Sequence, residues 1–340
     1  MRYSTASLKF IPFIGALACS TITTVVPSLR FSFFASAMST TNTKVIDSHL
    51  HVWANTKESK NGFPYAEGQE PPASLSEVAS TTSLLEKMNA NGVDGSLIVQ
   101  PINHKFDHSY VTKAISDHPD RFKGMMLHDP SQSPQDAVST LEDLALKGYV
   151  GVRFNPYLWT KMGETSWTPM STPNGSGLAV YKRCAELHMP VGVMCFQGLQ
   201  LHYDDIVALL KASPETTLVL DHFGFTGFNP EGESAFEKLL ALAEYPQVVV
   251  KISALFRLGD SSPYERVRKE RFDPLLKAFG AERLMFGTDF PFVVEQEPER
   301  YEGMVKLVAS WTEKEEDKTA LMGRTAERLF GPWGTPTTAS

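Results

Sequence analysis

From Val45 onward, short apolar runs alternate with longer amphipathic stretches, and the alternation repeats eight times. The apolar runs, rich in Val, Ile, Leu, Phe and Met, predict strands at Val45–His51, Gly95–Gln100, Phe122–Leu127, Tyr149–Asn155, Val191–Gln197, Thr217–His222, Val248–Ser253 and Leu284–Asp289. Between them, apolar residues at three- and four-residue spacing predict helices at Ser76–Asn91, Asp107–His118, Pro134–Lys147, Leu178–His188, Tyr203–Ala212, Glu233–Glu244, Tyr264–Phe279 and Pro298–Trp311. Ser133-Pro134 supplies an N-cap followed by a proline in the first turn, and Gly148 and Gly280 stand where helices stop. Eight strands, each followed by a helix, predict an α/β chain of one domain, a (β/α)8 TIM barrel. An open doubly wound sheet would usually carry a glycine-rich phosphate loop after its first strand, and neither GxGxxG nor GxxxxGK[ST] occurs. Ala54–Ala73 and Trp159–Gly177 break the periodicity and read as long loops over the barrel mouth. Their aromatic residues Phe63, Tyr65, Tyr157, Trp159 and Trp167 suit a planar ring, or packing within a lid.

The N-terminal stretch is different in kind. Residues 1–46 contain no carboxylate, 14 Ser/Thr and four basic residues, whereas the rest of the chain holds all 39 Asp and Glu. The organisation expected is a leader at residues 1–44, a barrel at 45–332 and a tail at 333–340. An acid-free, hydroxyl-rich leader fits a transit peptide to a plastid or another organelle. Initiation at Met38 would instead leave a cytoplasmic protein, and a secretory reading needs an apolar region that Pro12 interrupts. Without the leader the formal charge moves from −7 to about −11, which disfavours nucleic acid as a partner. No apolar stretch reaches the roughly 20 residues of a membrane span. Three cysteines, one of them in the leader, exclude a disulfide framework. Cys184 and Cys195 read as small buried apolar groups.

Polar residues interrupt the strands at informative places. Asp47, His49 and His51 recur at alternate positions of the first strand, so they share one face, and a His-x-His pair can place two imidazoles on one metal ion. The sixth strand ends in His222 and the eighth in Asp289. Strand ends of such a barrel converge on one pocket, so the four groups belong together. Arg153 is in phase with Gly151 and Asn155, opposite Val150, Val152 and Phe154, and points toward the barrel axis. Lys251 shares the more polar face of its strand with Ser253. Asn103, His104 and His108 follow the second strand, either near substrate or as ordinary loop residues. His118, His128, His188 and His202 read as structural or exposed.

The segments Val45-Ile-Asp-Ser-His-Leu-His51, Gly151-Val-Arg-Phe-Asn155, Leu220-Asp-His-Phe-Gly224, Leu284-Met-Phe-Gly-Thr-Asp-Phe-Pro291 and Gly323-Arg-Thr-Ala-Glu-Arg-Leu-Phe330 together resemble the amidohydrolase-related family of metal-dependent hydrolases. Within it they are most similar to the branch of 2-pyrone-4,6-dicarboxylate and sugar-acid lactonases. Two departures stand out. Strand four carries Arg153 and Asn155 where binuclear relatives place a modified Lys or a Glu, and strand five ends in Gln197 where many mononuclear relatives place a His. The resemblance therefore implies a single divalent ion, zinc first among candidates, on His49, His51 and Asp289, or no ion at all.

The implied activity is a hydrolase that opens a carboxylate-bearing lactone. Asp289 would be the base toward water, its pKa raised by desolvation, and the histidines, His222 among them, would polarise the carbonyl. Arg153, Arg257, Lys251, Asn155 and Tyr157 would hold a small carboxylated substrate. A metal-dependent nonoxidative decarboxylase of an aromatic or muconate-type acid is the alternative, and a noncatalytic small-acid binding protein is the third reading.

Overall fold

Eight short strands, parallel throughout, hydrogen-bond in chain order into one sheet: β1 (Ile46–Leu50), β2 (Gly95–Val99), β3 (Phe122–Leu127), β4 (Tyr149–Phe154), β5 (Val191–Val193), β6 (Leu218–Leu220), β7 (Val248–Ile252) and β8 (Leu284–Phe286). The computed structural model describes residues 44–159, 168–296 and 300–334. Expectations placed on residues 1–43, on Trp167 and on residues 335–340 lie outside them. The sheet closes where β1 meets the chain leaving β8. Leu50 bridges Phe290, the His51 amide donates to the Phe290 carbonyl at 2.7 Å, and the Asp289 amide donates to the His49 carbonyl at 2.8 Å.

Helices follow the strands as the periodicity predicts, among them Thr81–Ala90, Ser109–Asp117, Pro134–Ala145, Ser176–Glu186, Tyr203–Ala212 and Pro230–Ala241. Their apolar faces and the outer face of the sheet form one core that includes Val152, Phe154, Leu209 and Phe286. Inside the barrel Leu97, Val99, Met125, Val219, Val249 and Met285 form a second core, closed from below by Phe330 and Trp333. Gly95 makes room for that plug, because a Cβ there would stand 2.2 Å from the Trp333 ring. The segment read as a loop after β1 contains a short helix, Thr56–Lys60. Asn55 accepts from the Glu58 amide while the Glu58 carboxylate accepts from the Asn55 amide, a capping box in a stretch with no apolar periodicity to reveal it.

Strands β5, β6 and β8 are three residues each, shorter than the apolar pattern predicts, so Gln197, His222 and Asp289 lie beyond them. Beyond two of these ends His222 and Asp289 take left-handed backbone conformations, at φ 52° and 59°. Non-glycine residues carry a cost of order 1–3 kcal/mol in such conformations and hold them where surrounding structure fixes them, commonly at functional sites.

Several histidines outside the mouth are structural. His104 Nδ1 donates to the Pro64 carbonyl and Nε2 accepts from the Ala54 amide, tying the loop after β1 to the one after β2. His108 Nδ1 donates to the Phe106 carbonyl at 2.8 Å and Nε2 accepts from the Leu127 amide at 3.1 Å, which fixes the neutral ring. Burial holds both His108 and His128 down to about 4. The unfolded chain protonates these rings near 6.5 and the folded one does not, so their stabilisation is complete above pH 6.5 and is lost as pH falls toward 4. Each accounts for a loss on the order of 3 kcal/mol. In urea unfolding, His108→Gln is expected to flatten the fall in stability between pH 6.5 and 4.5. An unchanged slope would remove His108 from this account.

Candidate active site

At the C-terminal ends of the strands a cavity of about 290 Å³ opens, and His51, Arg153, Asn155, His222, Arg257 and Asp289 contribute its charged and polar wall. Its chemical centre is one carboxylate oxygen. Asp289 Oδ1 lies 3.5 Å from His51 Nε2, 3.8 Å from His222 Nε2 and 3.9 Å from His49 Nε2. Gly287 permits the approach of β8 to β1 that brings Asp289 there, because a Cβ on it would sit 2.8 Å from the His49 Cβ. Asp47 fixes the same junction from below. Its carboxylate accepts from the Thr288 amide and hydroxyl at 3.0 and 2.6 Å, and Ser48 Oγ donates to the Phe286 carbonyl. Burial outweighs those hydrogen bonds and raises the Asp47 carboxyl to about 6.

Each imidazole is oriented by its other nitrogen. His51 Nδ1 donates to the Val99 carbonyl at 2.8 Å, so in the neutral ring Nε2 carries the lone pair. His222 Nδ1 is 2.8 Å from Ser253 Oγ. His49 Nδ1 is 3.1 Å from both Asp221 Oδ1 and Lys251 Nζ, while its Nε2 is buried with no hydrogen-bond partner among the described residues. Burial first, then the Lys251 ammonium, hold His49 well below its ordinary value. Burial likewise takes His222 down to about 4. Neutral imidazoles facing a carboxylate at these distances form a donor set that fits one cation. His49, His222 and Asp289 each offer an atom within 4.8 Å of the others.

His51, expected as the second imidazole of that set, falls outside this group. The two rings of the His-x-His pair lie edge to face with centroids 5.2 Å apart, in a stretch where the β1–β2 register is irregular, whereas His49 and His222 are 4.3 Å apart. The direction expected for Asp289 is also reversed. Burial raises its carboxyl, but the fields of His222, His51 and Arg257 outweigh that and hold it far below the usual carboxylate range. Arg257 Nε and Nη2 both donate to Asp289 Oδ2 at 3.2 Å.

Arg153 and Asn155 line the cavity, while Lys251 and Tyr157 do not. Lys251 is fully buried, and its ammonium is 3.3 Å from Asp221 Oδ1 and 3.1 Å from His49 Nδ1, a layer beneath the cavity. Tyr157 turns its hydroxyl to the Gln197 amide and His202. None of the described residues of Ala54–Ala73 or Trp159–Gly177 reaches the cavity either; Phe63 packs on Tyr110, and Trp159 on Phe154 and His128. The apolar wall comes instead from residues beside the strand ends, Trp53, Ile102, Met194, Phe196, Phe225 and Phe292. Asp221 is the charged residue that sequence reasoning passed over. It directly precedes His222, and alternation along a strand would turn one of the two outward. With the strand ending at Leu220 and His222 left-handed, both face inward, and Asp221 meets His49, Lys251 and Arg153. A carboxylate closing an apolar run was the available signal.

A family model described as amidohydrolase matches residues 46–331. An L-fucono-1,5-lactonase of Burkholderia multivorans is 32% identical over 141 residues, which are 37% of this chain and 47% of that protein, so the match spans about half of the curated relative. Among solved structures, a probable 2-pyrone-4,6-dicarboxylic acid hydrolase of Acinetobacter baumannii with citric acid bound superposes with a TM-score of 0.68. It is 20% identical and covers 85% of this chain and 99% of its own. An amidohydrolase of Burkholderia multivorans with bound zinc gives a TM-score of 0.64 at 22% identity, covering 85% of this chain and 99% of its own. At these identities the two structures share the fold.

Proposed function

The chain belongs to the amidohydrolase family, and from that membership we propose that it hydrolyses a lactone bearing a carboxylate. The observation that carries this reading is Arg153. Its guanidinium lines the cavity yet is only 6% exposed, and its Nε, 3.4 Å from Asp221 Oδ2, makes no hydrogen bond among the described residues. Its Nη2 donates to a thioether, Met194 Sδ, a weak acceptor. A buried planar fork whose ion-pair neighbour Asp221 sits on its Nε without a hydrogen bond suits a carboxylate, which can take two of its N–H groups at once. Arg257, bonded to Asp289 Oδ2, lines the same cavity, so two guanidinium groups stand with one carboxylate on its wall and leave it positive toward an anion.

Asp289 accepts a proton from the attacking water. The new bond joins the water oxygen to the lactone carbonyl carbon, and the ring ester bond breaks. The ring oxygen takes the proton back from Asp289 and leaves as a hydroxyl, and the new carboxylic acid ionises to release a proton. With Ser253 donating to Nδ1, His222 aims Nε2–H at the developing carbonyl charge; in the other tautomer Nε2 offers a lone pair to a metal. His49, His222 and Asp289 would hold a divalent ion, zinc by ligand chemistry and by its presence in one structural relative, and such an ion supplies Lewis-acid polarisation of the carbonyl. The sugar-lactone relative and the dicarboxylate-hydrolase fold neighbour support the same reaction type.

The test is a panel of carboxylated lactones followed by proton release beside carbon dioxide release. Proton release matched by loss of lactone is expected. Carbon dioxide evolution would replace the reading with decarboxylation, and saturable binding without turnover would replace it with a binding protein.

A further inference from the structure

The apolar half of the cavity wall has no part in the steps above. Phe196 is 55% exposed and Ile102 37%, and they stand at the mouth with Phe225 and with Phe292, whose ring also packs on Trp53. The rings of Phe196 and Phe225 meet edge to face with centroids 5.9 Å apart. The Arg257 guanidinium lies 5.2 Å from the Phe292 ring centroid and 5.0 Å from that of Phe256, so the cation at the mouth is itself held in an aromatic frame.

Several neutral polar groups on the wall are spent on the protein, and two others, Gln100 Oε1 and Trp53 Nε1, have no partner among the described residues but are closed off from water. Gln100 uses Nε2 on the Lys105 and Asp107 carbonyls, and Asn103 donates its amide to the Gln69 carbonyl. Asn155 Oδ1 accepts from the Tyr157 amide. His51 has Nδ1 on the Val99 carbonyl and Nε2 toward Asp289. A polyhydroxylated ring entering this cavity would give up water at each hydroxyl and find few partners, and an unmatched polar group on burial is costly. An aryl or alkyl body would instead cover Ile102, Phe196 and Phe225 at no such cost.

We infer that the substrate is an acid lactone with an apolar, hydroxyl-poor body, an aryl ring first, whose carboxylate reaches the guanidinium groups while its body rests on the aromatic mouth. This class differs from the sugar lactone that names the curated relative, and it rests on the hydrolase reading of the same site.

Titration calorimetry of the whole chain with acids of equal charge tests it without requiring turnover. Phenylacetate and 4-phenylbutyrate are expected to bind at least about tenfold more tightly than D-gluconate, a ratio of the size that one aromatic contact supplies. Ile102→Ser/Phe196→Ser, both at the exposed rim, is expected to lose about tenfold in aryl-acid affinity and to leave acetate affinity unchanged. Gluconate binding as tightly as the aryl acids, no measurable binding of any aryl acid at millimolar concentration, or an unchanged double variant would each overturn the inference. Aryl-acid selectivity with no lactone opened would remove the hydrolase and keep the ligand class. Equal turnover of aryl and polyhydroxy lactones would do the reverse.

Discussion

Asp289→Asn is expected to lower kcat by about 10³-fold in a protein that still folds, because a positioned base supplies rate enhancement of that order. The amide keeps the shape of the carboxylate and removes its charge and its capacity to take a proton. Arg257, which places Nε and Nη2 on Asp289 Oδ2, retains an oxygen to meet, and at 29% side-chain exposure it also reaches water. The KM for a carboxylated lactone should hold or fall. The substituted residue no longer presents a negative charge opposite an anion entering between Arg153 and Arg257. Steady-state proton release, with circular dichroism as the folding control, separates the two constants. A kcat within tenfold of the parent would move the base elsewhere, and a raised KM with unchanged kcat would make Asp289 a binding group.

The second large effect is structural and comes from beneath the cavity. Lys251→Met is expected to destabilise the fold by about 3–5 kcal/mol, the range for removing one partner of a buried ion pair. Lys251, Asp221 and His49 form a triangle with sides of 3.1, 3.1 and 3.3 Å, all three side chains fully buried. Burial lowers the Lys251 ammonium and the Asp221 carboxylate raises it. Methionine fills the stem's volume and leaves Asp221 with Arg153 Nε at 3.4 Å and the His49 ring. Pairing the change with Asp221→Leu should recover part of the loss, because no charge is then left uncompensated. Urea unfolding of the two single variants and the double variant gives the coupling. A Lys251→Met variant within about 0.5 kcal/mol of the parent would show that Arg153 alone holds Asp221.

The barrel was legible because eight alternations of period are a property of the chain itself. Apolar runs bury on both faces of a parallel sheet and amphipathic stretches bury on one, and each leaves its spacing in the sequence. His222 and Asp289 were legible for a related reason, since a titratable group closing an apolar run has few places to go in a barrel other than its mouth, and His49 was legible through its alternation with Asp47 and His51 on one strand face. The aromatic wall was not. Phe63, Tyr65 and Trp159 sit in the long loops where a lid was expected, yet they pack inward, while Phe196, Phe225 and Phe292 look like ordinary strand-end hydrophobes and stand at the mouth.

Determined by sequence alone were the order of the elements, the family resemblance and the identity of the ionisable groups at the strand ends, all carried by local pattern. Decided only by the tertiary structure were the partners of those groups. Asp221 and Lys251 are 30 residues apart, and His49 lies more than 170 residues from either, yet one triangle joins them. Whether Lys251 meets a substrate or a buried carboxylate, and whether Asp289 is raised by burial or lowered by its neighbours, depends on fields that fall off over a few ångströms. Such distances exist only once β7 and β8 have closed against β1.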